Sequence, residues 1–425
     1  MATRRWVAGP AAGVFLAAFA CTPGGNGVTP PAPVPLTLVV APAARTASVP
    51  VGGTAPADSA TVTFTGDGAA VAPWTATKRQ GWTTLTTASG NGNGKIRWSR
   101  SAAGLVAGTY VDTITITAPG ATGSPARIFD TLRVTAIQGG GVPDLGVGAS
   151  LHGKRLFPAG DPWNRPVDTA QVDANSAAIL ALVGATKSFH PDWGPTWGFP
   201  YVIVAEPIAR YSPVFDYAGE SDPGPYPIPP NPPIEDGGQG DAHLLVIHRD
   251  EWKLYELFYL HPAGLGQWTA GSGAIFDLTN GTQRPAGWTS ADAAGLPIFP
   301  GLVRYDEVYE QGEITHALRM TVTRTRDAYI PPATHSASSY TNPLYPPMGM
   351  RLRLKASFDI SAYPAPMQVI LRALKKYGLI VADNGGDFYV SGTIDPRWND
   401  DFDNLLKQVK VGDFEVIKMV GVITP

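Results

Sequence analysis

Residues 241–260, DAHLLVIHRDEWKLYELFYL, alternate aliphatic and aromatic residues on either side of a polar centre at residues 250–251. This alternation predicts two antiparallel strands joined by a tight turn. A two-residue and a four-residue turn give the same register, which places Glu256 opposite Leu245 and on the same face as His243. That face is otherwise apolar, and a buried carboxylate there is costly unless it is paired or functional. The pair Glu256 and His243 is therefore the first candidate site.

Length and composition favour a β-rich protein with more than one domain. The chain has 425 residues, which is enough for two or three domains, and it contains 48 glycines and 41 prolines. Such a composition favours short strands and many turns over long helices. The net charge of −3 shows no basic excess, so nucleic acid is not expected as a partner.

The first 21 residues have the pattern of an export signal. Arg4 and Arg5 precede a short apolar segment at residues 7–20, which is too short to span a bilayer. Cys21 is the single cysteine of the chain, so no internal disulfide and no thiolate metal cage can form. Residues 22–35 are rich in glycine and proline and are expected to form an extended tether.

The segment Ala18-Phe19-Ala20-Cys21 occupies the position of a lipobox, and the N-terminus resembles a bacterial lipoprotein signal. Residues 3–6, TRRW, also resemble a twin-arginine signal. The resemblance implies lipid attachment at Cys21 and a membrane anchor at the cell surface or in the periplasm. The alternative is an ordinary secretory peptide that is cleaved to release a secreted protein.

Residues 36–137 contain short alternating strands separated by glycine, asparagine and proline turns, which predicts a β-sandwich of about a hundred residues. The runs at residues 81–85 (GWTTL), 104–110 (GLVAGTY) and 113–121 (TITITAPGA) resemble BACON-type and related immunoglobulin-like modules of bacterial surface proteins. This resemblance implies a spacer or a carbohydrate-associated display module without a catalytic residue.

A linker at residues 138–145 separates this sandwich from a larger domain at residues 146–425. Strands outnumber helices there, which indicates a β-rich α+β fold. Helices are expected at residues 175–183, 367–377 and 400–409. Strands besides the central hairpin are expected at residues 201–205, 272–278, 314–325, 350–360, 379–382 and 414–420.

Further acidic and imidazole residues could join the first pair. His316 points the same way as aliphatic neighbours in its predicted strand, which favours a pocket shared with Glu256 and His243. Asp277 and Asp383 are candidates for a second carboxylate, Asp383 because it ends a strand before Asn384 and two glycines. A retaining glycosidase would hold its two carboxyl groups about 5–5.5 Å apart, and an inverting one about 6.5–9.5 Å apart.

Substrate contacts are expected from cations, aromatic rings and one histidine. In the predicted strand at residues 350–360, Arg353 and Lys355 share a polar face that could be a solvated face or a cationic groove for an acidic sugar or a phosphate. Trp268 and Trp288 lie in loop-like stretches, where tryptophan suits stacking against sugar rings as well as core packing. His335 is a further candidate for substrate binding.

Cofactor motifs are absent from the sequence. His243, His316 and Glu256 could supply the two imidazoles and one carboxylate of an open metal site, but no HExxH spacing supports this. No GxSxG, P-loop or GxGxxG motif occurs either, so no cofactor is predicted.

Two stretches of the larger domain resemble a family of secreted microbial proteins with no known activity. They are residues 287–297, GWTSADAAGLP, and residues 376–385, in which KYG is followed by ADNG. Because no activity belongs to that family, the resemblance implies no function.

Three hypotheses follow from the sequence. The first is a surface-anchored glycoside hydrolase in which Glu256, oriented by His243, is an acid/base group that acts on a polysaccharide. The second is a non-catalytic glycan-binding or adhesion lipoprotein, in which these residues form a buried polar network. The third is a metal-dependent enzyme that uses His243, Glu256 and His316.

Overall fold

The computed structural model describes residues 32–50, 53–106, 108–135, 140–281 and 284–425. The predicted signal with Cys21, and residues 22–31 of the predicted tether, lie outside this part. Strand makes up 36% and helix 14%, so the fold is mainly β as the sequence predicts. None of the helices in the described ranges combines the length and the apolar character that a membrane span requires.

The N-terminal strands form two sheets that face each other. They are β1 (Thr37–Ala41), β2 (Ala44–Pro50), β3 (Thr54–Thr65), β4 (Pro73–Thr77), β5 (Thr83–Thr87), β6 (Ser89–Asn91), β7 (Gly94–Ser101), β8 (Gly108–Thr117) and β9 (Ala126–Thr135). The sheet orders are β1-β3-β7-β5 and β2-β9-β8-β4-β6. Val62 and Trp98 of the first sheet share a core with Ile114 and Ile128 of the second. This is a β-sandwich, as the alternating pattern predicts.

The larger region is built on a five-stranded and a six-stranded sheet. Its strands are β10 (Gly146–Val147), β11 (His190–Asp192), β12 (Tyr201–Val204), β13 (Arg210–Tyr211), β14 (Val214–Phe215), β15 (Tyr226–Pro227), β16 (Leu244–His248), β17 (Lys253–Phe258), β18 (His261–Gly264), β19 (Gln267–Ala270), β20 (Ser272–Asp277), β21 (Leu318–Val322), β22 (Arg351–Leu354), β23 (Leu379–Asn384), β24 (Tyr389–Ser391) and β25 (Phe414–Val416). Its helices are α1 (Ser176–Val183), α2 (Ala365–Lys376) and α3 (Asp400–Leu405). The two large sheets have the orders β10-β12-β16-β17-β20 and β11-β24-β21-β23-β22-β25. Two smaller sheets are β13-β15 and β14-β19-β18.

The central hairpin has the predicted register. β16 and β17 pair His248 with Lys253 and Leu245 with Glu256 across a four-residue turn. Both faces of this sheet are covered, because one side packs in the main core and the other, with Tyr255, packs in a second core. A strand that is covered on both faces has a nearly continuous apolar sequence, and residues 244–247 (LLVI) have such a sequence.

The six-stranded sheet completes the main core. Met320 of β21 and Val381 of β23 belong to the same buried cluster as Leu254 of β17, so the two large sheets share one interior. Helix α2 covers this core with Ile370 and Leu374, and Gly378 follows the helix with a φ of 71°, as its predicted role at the helix end requires.

Three predicted strands are much shorter than expected, among them the strand predicted at residues 414–420, which spans only Phe414–Val416. The strand predicted at residues 314–325 is confined to β21, so His316 lies outside it. The strand predicted at residues 350–360 ends with β22 at Leu354, because the chain then turns and the Phe358 amide donates to the Lys355 carbonyl. The regular face alternation expected for these segments therefore does not extend to their ends.

Candidate active site

Arg319 lies at the centre of the candidate site. Its side chain on β21 is buried, and it donates to both carboxylate oxygens of Asp292 at 3.2 and 2.9 Å. Its Nη1 donates to the Ser391 hydroxyl at 2.6 Å. Its guanidinium carbon lies 5.2 Å from the ring centroid of Phe199. A bidentate ion pair of this kind holds the carboxylate in one position and favours its ionised form.

Asp292 comes from a loop that is bonded to the sheet. The Ser290 hydroxyl accepts from the Asp292 amide at 2.9 Å, and the Ala294 amide donates to the Ala382 carbonyl at 3.0 Å. The Asp292 side chain has no exposed area. The loop at residues 290–294 therefore delivers a buried carboxylate to the end of β23.

Asp383 reaches the same point because β23 contains a bulge. The parallel pairing of β21 with β23 matches Met320 with Val381 and then Thr321 with Asp383, so Ala382 is the extra residue. A bulge of this kind redirects the side chains that follow it. Without the bulge, Ala382 would oppose Thr321 on the face of Arg319, and Asp383 would point to the other side.

The carboxyl groups of Asp383 and Asp292 are hydrogen-bonded to each other. Burial, followed by the neighbouring Asp292 carboxylate, raises the pKa of Asp383 to about 7. Burial raises the pKa of Asp292 too, but the bidentate bonds from Arg319 oppose that shift and favour Asp292 as the ionised member. Up to about neutral pH the pair therefore holds one proton, and the two bonds from Arg319 to Asp292 favour Asp383 as its site.

An open cavity of about 380 Å³ lies against this pair. Its walls carry carboxylates, two imidazoles and aromatic rings, from Tyr217, Glu220, Asp241, His243, Phe258, Ser272, Thr289, Ser290, Ala291, Asp292, Ala293, His335, Ala337, Asp383 and Asn384. The Asp383 side chain is 30% exposed, so its acidic proton is accessible from the cavity. Among the predicted site residues, Asp383, His243 and His335 line this cavity.

An aromatic rim borders the cavity. It consists of Tyr217, Phe258 and Tyr259, and the two tyrosines are 56% and 47% exposed. The three lie around Gly271, which accepts from the Tyr217 amide and donates from its own amide to Phe258. A Cβ at Gly271 would come within 2.6 Å of the Phe258 ring, so only glycine permits this close packing.

His243 lies in the cavity wall without a free nitrogen. Its Nδ1 is 2.5 Å from a Glu235 carboxylate oxygen, and its Nε2 is 3.0 Å from the Ala291 carbonyl. Burial acts to lower the pKa of His243, but the bond to Glu235 outweighs it, and the pKa is raised overall. Both nitrogens therefore carry protons, and His243 is a paired cation that cannot ligate a metal in this arrangement.

Glu256 is completely buried beneath the site. Its carboxylate accepts from the Ile298 amide at 3.0 and 2.9 Å and from the Phe299 amide at 2.8 Å. Burial raises the pKa of Glu256 to about 7, against the effect of these backbone bonds. These contacts indicate that Glu256 anchors a short 3₁₀ turn at Phe299–Gly301. The acid/base role of Glu256 that the sequence suggests stays a prediction.

His316 belongs to a different place in the fold. Its Nδ1 donates to the Ala317 carbonyl at 2.8 Å, and its Nε2 is 3.0 Å from Glu307, which also pairs with Arg304. It lines a separate small cavity of about 20 Å³. The expected convergence of Glu256, His243 and His316 in one pocket is therefore wrong, since each group has its own partners. A metal site made from these three residues is not formed.

One other group of described residues has metal-ligand spacing. Ligand atoms of Glu206, His248 and Glu251 lie within 4.8 Å of one another. However, Arg210 contacts both carboxylates, at 2.8 and 2.5 Å, and the Glu251 amide donates to His248 Nδ1 at 3.2 Å. A neutral imidazole that accepts at Nδ1 carries its proton at Nε2, so the nitrogen that faces Glu206 has no lone pair for a metal.

The predicted cationic groove is replaced by structural contacts. Arg353 is buried, donates to Glu415 at 2.7 Å and to the Val167 carbonyl, and therefore offers no free charge. Lys355 donates to the Gly412 carbonyl at 2.6 Å, beyond the end of β22. Arg353 therefore cannot line a groove for an acidic sugar or phosphate in this arrangement, whereas substrate binding by the exposed Lys355 stays a prediction.

The remaining predicted residues lie outside the cavity. Asp277 accepts from the Thr279 hydroxyl and from Asn280 in the turn after β20, and the bonds from Thr279 lower its pKa. Trp268 packs edge-on against Tyr211, with ring centroids 6.4 Å apart. Trp288 is half-buried and precedes Thr289 of the cavity wall.

Sequence reasoning did not identify Arg319 or Asp292. The prediction for residues 314–325 gave Arg319 no functional role, and Asp292 was only part of a family resemblance. A signal was nevertheless present, because the two stretches that carry that resemblance, residues 287–297 and 376–385, contain Asp292 and Asp383. The structure brings these two stretches into contact.

Comparisons with known proteins give partial similarities. No family model and no curated protein matches the chain. Among solved structures, a Bacteroides ovatus GH5 xyloglucanase in complex with a heptasaccharide has 17% identity and a TM-score of 0.19, with 38% of this chain and 27% of the xyloglucanase covered. This chain thus spans about a quarter of that protein.

Two further structures are similar at the same level. A putative carbohydrate-binding protein from Bacteroides ovatus has 10% identity and a TM-score of 0.21, covering 29% of this chain and 43% of that one. A PapD-like domain of human CEP192 has 12% identity and a TM-score of 0.20, covering 27% of this chain and 97% of that domain. Similarities of this size assign neither a family nor an activity, so the BACON-type and lipoprotein resemblances stay predictions.

Proposed function

We propose that the larger domain is a glycoside hydrolase that acts by carboxylate acid–base chemistry, with Asp383 as the general acid. The observation that carries this proposal is the Asp383–Asp292 pair in the wall of an open cavity. A carboxylic acid that remains protonated near neutral pH can donate to a leaving oxygen in the transition state. This reassigns the acid role from Glu256 to Asp383.

The cavity walls suit a sugar. Glu220, Asp241 and the Ser272 hydroxyl offer acceptors for sugar hydroxyl groups, while Tyr217 and Phe258 offer flat apolar surfaces to the C–H faces of the ring. The combination of several acceptors with exposed aromatic rings supports a glycan as the ligand.

The neighbours of Asp383 prepare it for proton transfer. Asp292 keeps the proton on Asp383 before the reaction, and Arg319, whose Nη2 is 3.9 Å from an Asp383 oxygen, stabilises the carboxylate that remains afterwards. Asp292 and Arg319 are positioning residues, since Asp383 presents the proton to the cavity.

A polysaccharide panel tests the proposal. The full chain is incubated with neutral, acidic and amino-sugar polysaccharides, and released reducing ends are measured. We expect release from at least one of them, and Asp383→Asn should reduce its rate by about 10²–10⁴-fold. No release from any member would contradict the hydrolase.

A non-catalytic glycan-binding protein is the second candidate, because the aromatic rim could bind a sugar without any chemistry. Binding without hydrolysis, measured by calorimetry on the same panel, would favour it. Loss of binding in Tyr217→Ala with unchanged binding in Asp383→Asn would place the ligand on the rim.

We also propose that the chain is exported and anchored through a lipid on Cys21, on the basis of the lipobox-like sequence at residues 18–21. Incorporation of labelled palmitate by wild type, and its loss in Cys21→Ser, would support the anchor. Equal labelling of both proteins would contradict it.

A further inference from the structure

His335 has one ring nitrogen fixed and the other free. Nδ1 lies 2.8 Å from the Ala293 carbonyl, which can only accept, so Nδ1 carries a proton. No described residue forms a hydrogen bond with Nε2 of His335, and the ring lines the same cavity as Asp383. In the neutral imidazole, the lone pair on Nε2 is therefore available to a molecule in the cavity.

The segment that carries His335 is tied to both halves of the acid pair. The His335 and Thr334 amides donate to the Ala294 carbonyl at 3.3 and 2.9 Å, in the loop that holds Asp292. Asn384, the residue after Asp383, donates from its side chain to the Ala337 carbonyl at 2.9 Å. The imidazole is thus held in a defined place relative to Asp383, as paired acid–base catalysis requires.

We propose that His335 is the general base of the reaction and that hydrolysis proceeds with inversion at the anomeric carbon; this inference depends on the proposed glycosidase function. Nε2 of His335 accepts a proton from water as the water oxygen bonds to the anomeric carbon. The glycosidic C–O bond breaks, its electron pair stays on the leaving oxygen, and Asp383 supplies the proton to that oxygen. Imidazolium and carboxylate then return to their starting states by exchange with solvent.

Carboxylates in the cavity are weaker candidates for this role. One oxygen of Glu220 accepts from the Thr289 amide at 3.1 Å, and Asp241 is exposed. Imidazole is the side chain suited to removing a proton from water near neutral pH. The titratable groups that line the cavity together with His335 are Glu220, Asp241, His243, Asp292 and Asp383.

The test uses the full chain and the polysaccharide in the panel that wild type hydrolyses fastest. Because a base must be unprotonated, wild-type kcat/KM should fall at low pH. His335→Asn retains a side-chain N–H that can donate to Ala293 but lacks a basic nitrogen. It should lower kcat by about 10²–10⁴-fold and remove the acidic limb of the pH profile.

A second measurement needs no variant. Proton NMR of the first product formed by wild type should show the inverted anomer. A retained anomer, or a His335→Asn protein with the acidic limb intact, would overturn the role of His335. In that case loss of activity in Asp383→Asn would still leave the proposed function standing, so the two failures are distinguishable. A wild type that is inactive on every polysaccharide would overturn both.

Discussion

The carboxyl group of Asp383 shares a hydrogen bond with the carboxylate of Asp292, and both lie beside Arg319. One cation cannot neutralise two adjacent carboxylates in a largely buried site, so one of the acids retains its proton. Because Arg319 binds Asp292 through two hydrogen bonds, the proton remains on Asp383 at the cavity wall. Asp383 is therefore the proton donor of the pair, and Asp292 is its ionised partner.

Asp292→Asn should change the pH dependence of activity. The Asp292 charge contributes to the raised pKa of Asp383, so its removal lowers that pKa. A general acid must be protonated, and the alkaline limb of kcat/KM should therefore shift to lower pH. A pH–rate profile in which the limb stays in place would contradict the coupling.

The same variant should also be less stable, because Arg319 would lose its two hydrogen bonds to the buried Asp292 carboxylate and keep only the more distant Asp383 carboxyl group, 3.9 Å away. Breaking a buried ion pair in this way costs about 3–5 kcal/mol. Urea unfolding of Asp292→Asn measures the loss, and Asp401→Asn, an exposed position on α3, is the matched control.

Glu256 should make stability depend on pH. Its pKa is raised from 4.5 to about 7 in the folded protein, so the folded state holds this proton more tightly than the unfolded state. The resulting stabilisation is fully present below pH 4.5 and is lost as the pH rises through 7. Relative to Glu256→Gln, the wild-type free energy of unfolding should fall by about 3 kcal/mol over this range.

Denaturant titrations of both proteins at several pH values measure this difference. A constant difference from pH 4 to pH 8 would contradict the raised pKa. Glu256→Gln also tests the anchoring role, since a folded variant should hydrolyse glycans at the wild-type rate. Loss of turnover with intact folding would instead support the acid/base role expected from the sequence.

Tyr217→Ala should weaken substrate binding more than turnover. The ring is exposed at the cavity and is placed to stack on a sugar unit, a contact worth about 1 kcal/mol. KM for the hydrolysed polysaccharide should rise about fivefold with little change in kcat. Tyr340→Ala, also exposed but outside the cavity lining, is the control. An equal effect of both substitutions would exclude the rim as a subsite.

Local patterns predicted the local structure. The hairpin register followed from alternation at residues 241–260, and α2 with its glycine end followed from helical spacing. Glu256 and His243 were correctly recognised as polar groups on a buried face. Alternation along a strand determines which side chains share a face. The hairpin register and the buried polar groups could therefore be predicted from the sequence.

The site itself depends on pairings between distant segments. The loop of Asp292 covers Arg319, and no local pattern in the sequence indicates that cover. Asp383 shares the site because Ala382 is an extra residue in β23, and a single bulge reverses the face on which later side chains lie. Sequence periodicity indicated neither the bulge nor the covering loop.

The most direct test of Asp383 as the acid is the dependence of Asp383→Asn on the leaving group. The glycan that wild type hydrolyses is compared with an aryl glycoside of the same sugar, whose leaving group needs little protonation. Asp383→Asn should lose about 10²–10⁴-fold on the glycan and far less on the aryl glycoside. Asp401→Asn should match wild type on both. Equal losses on both substrates, or no loss on the glycan, would contradict Asp383 as the proton donor.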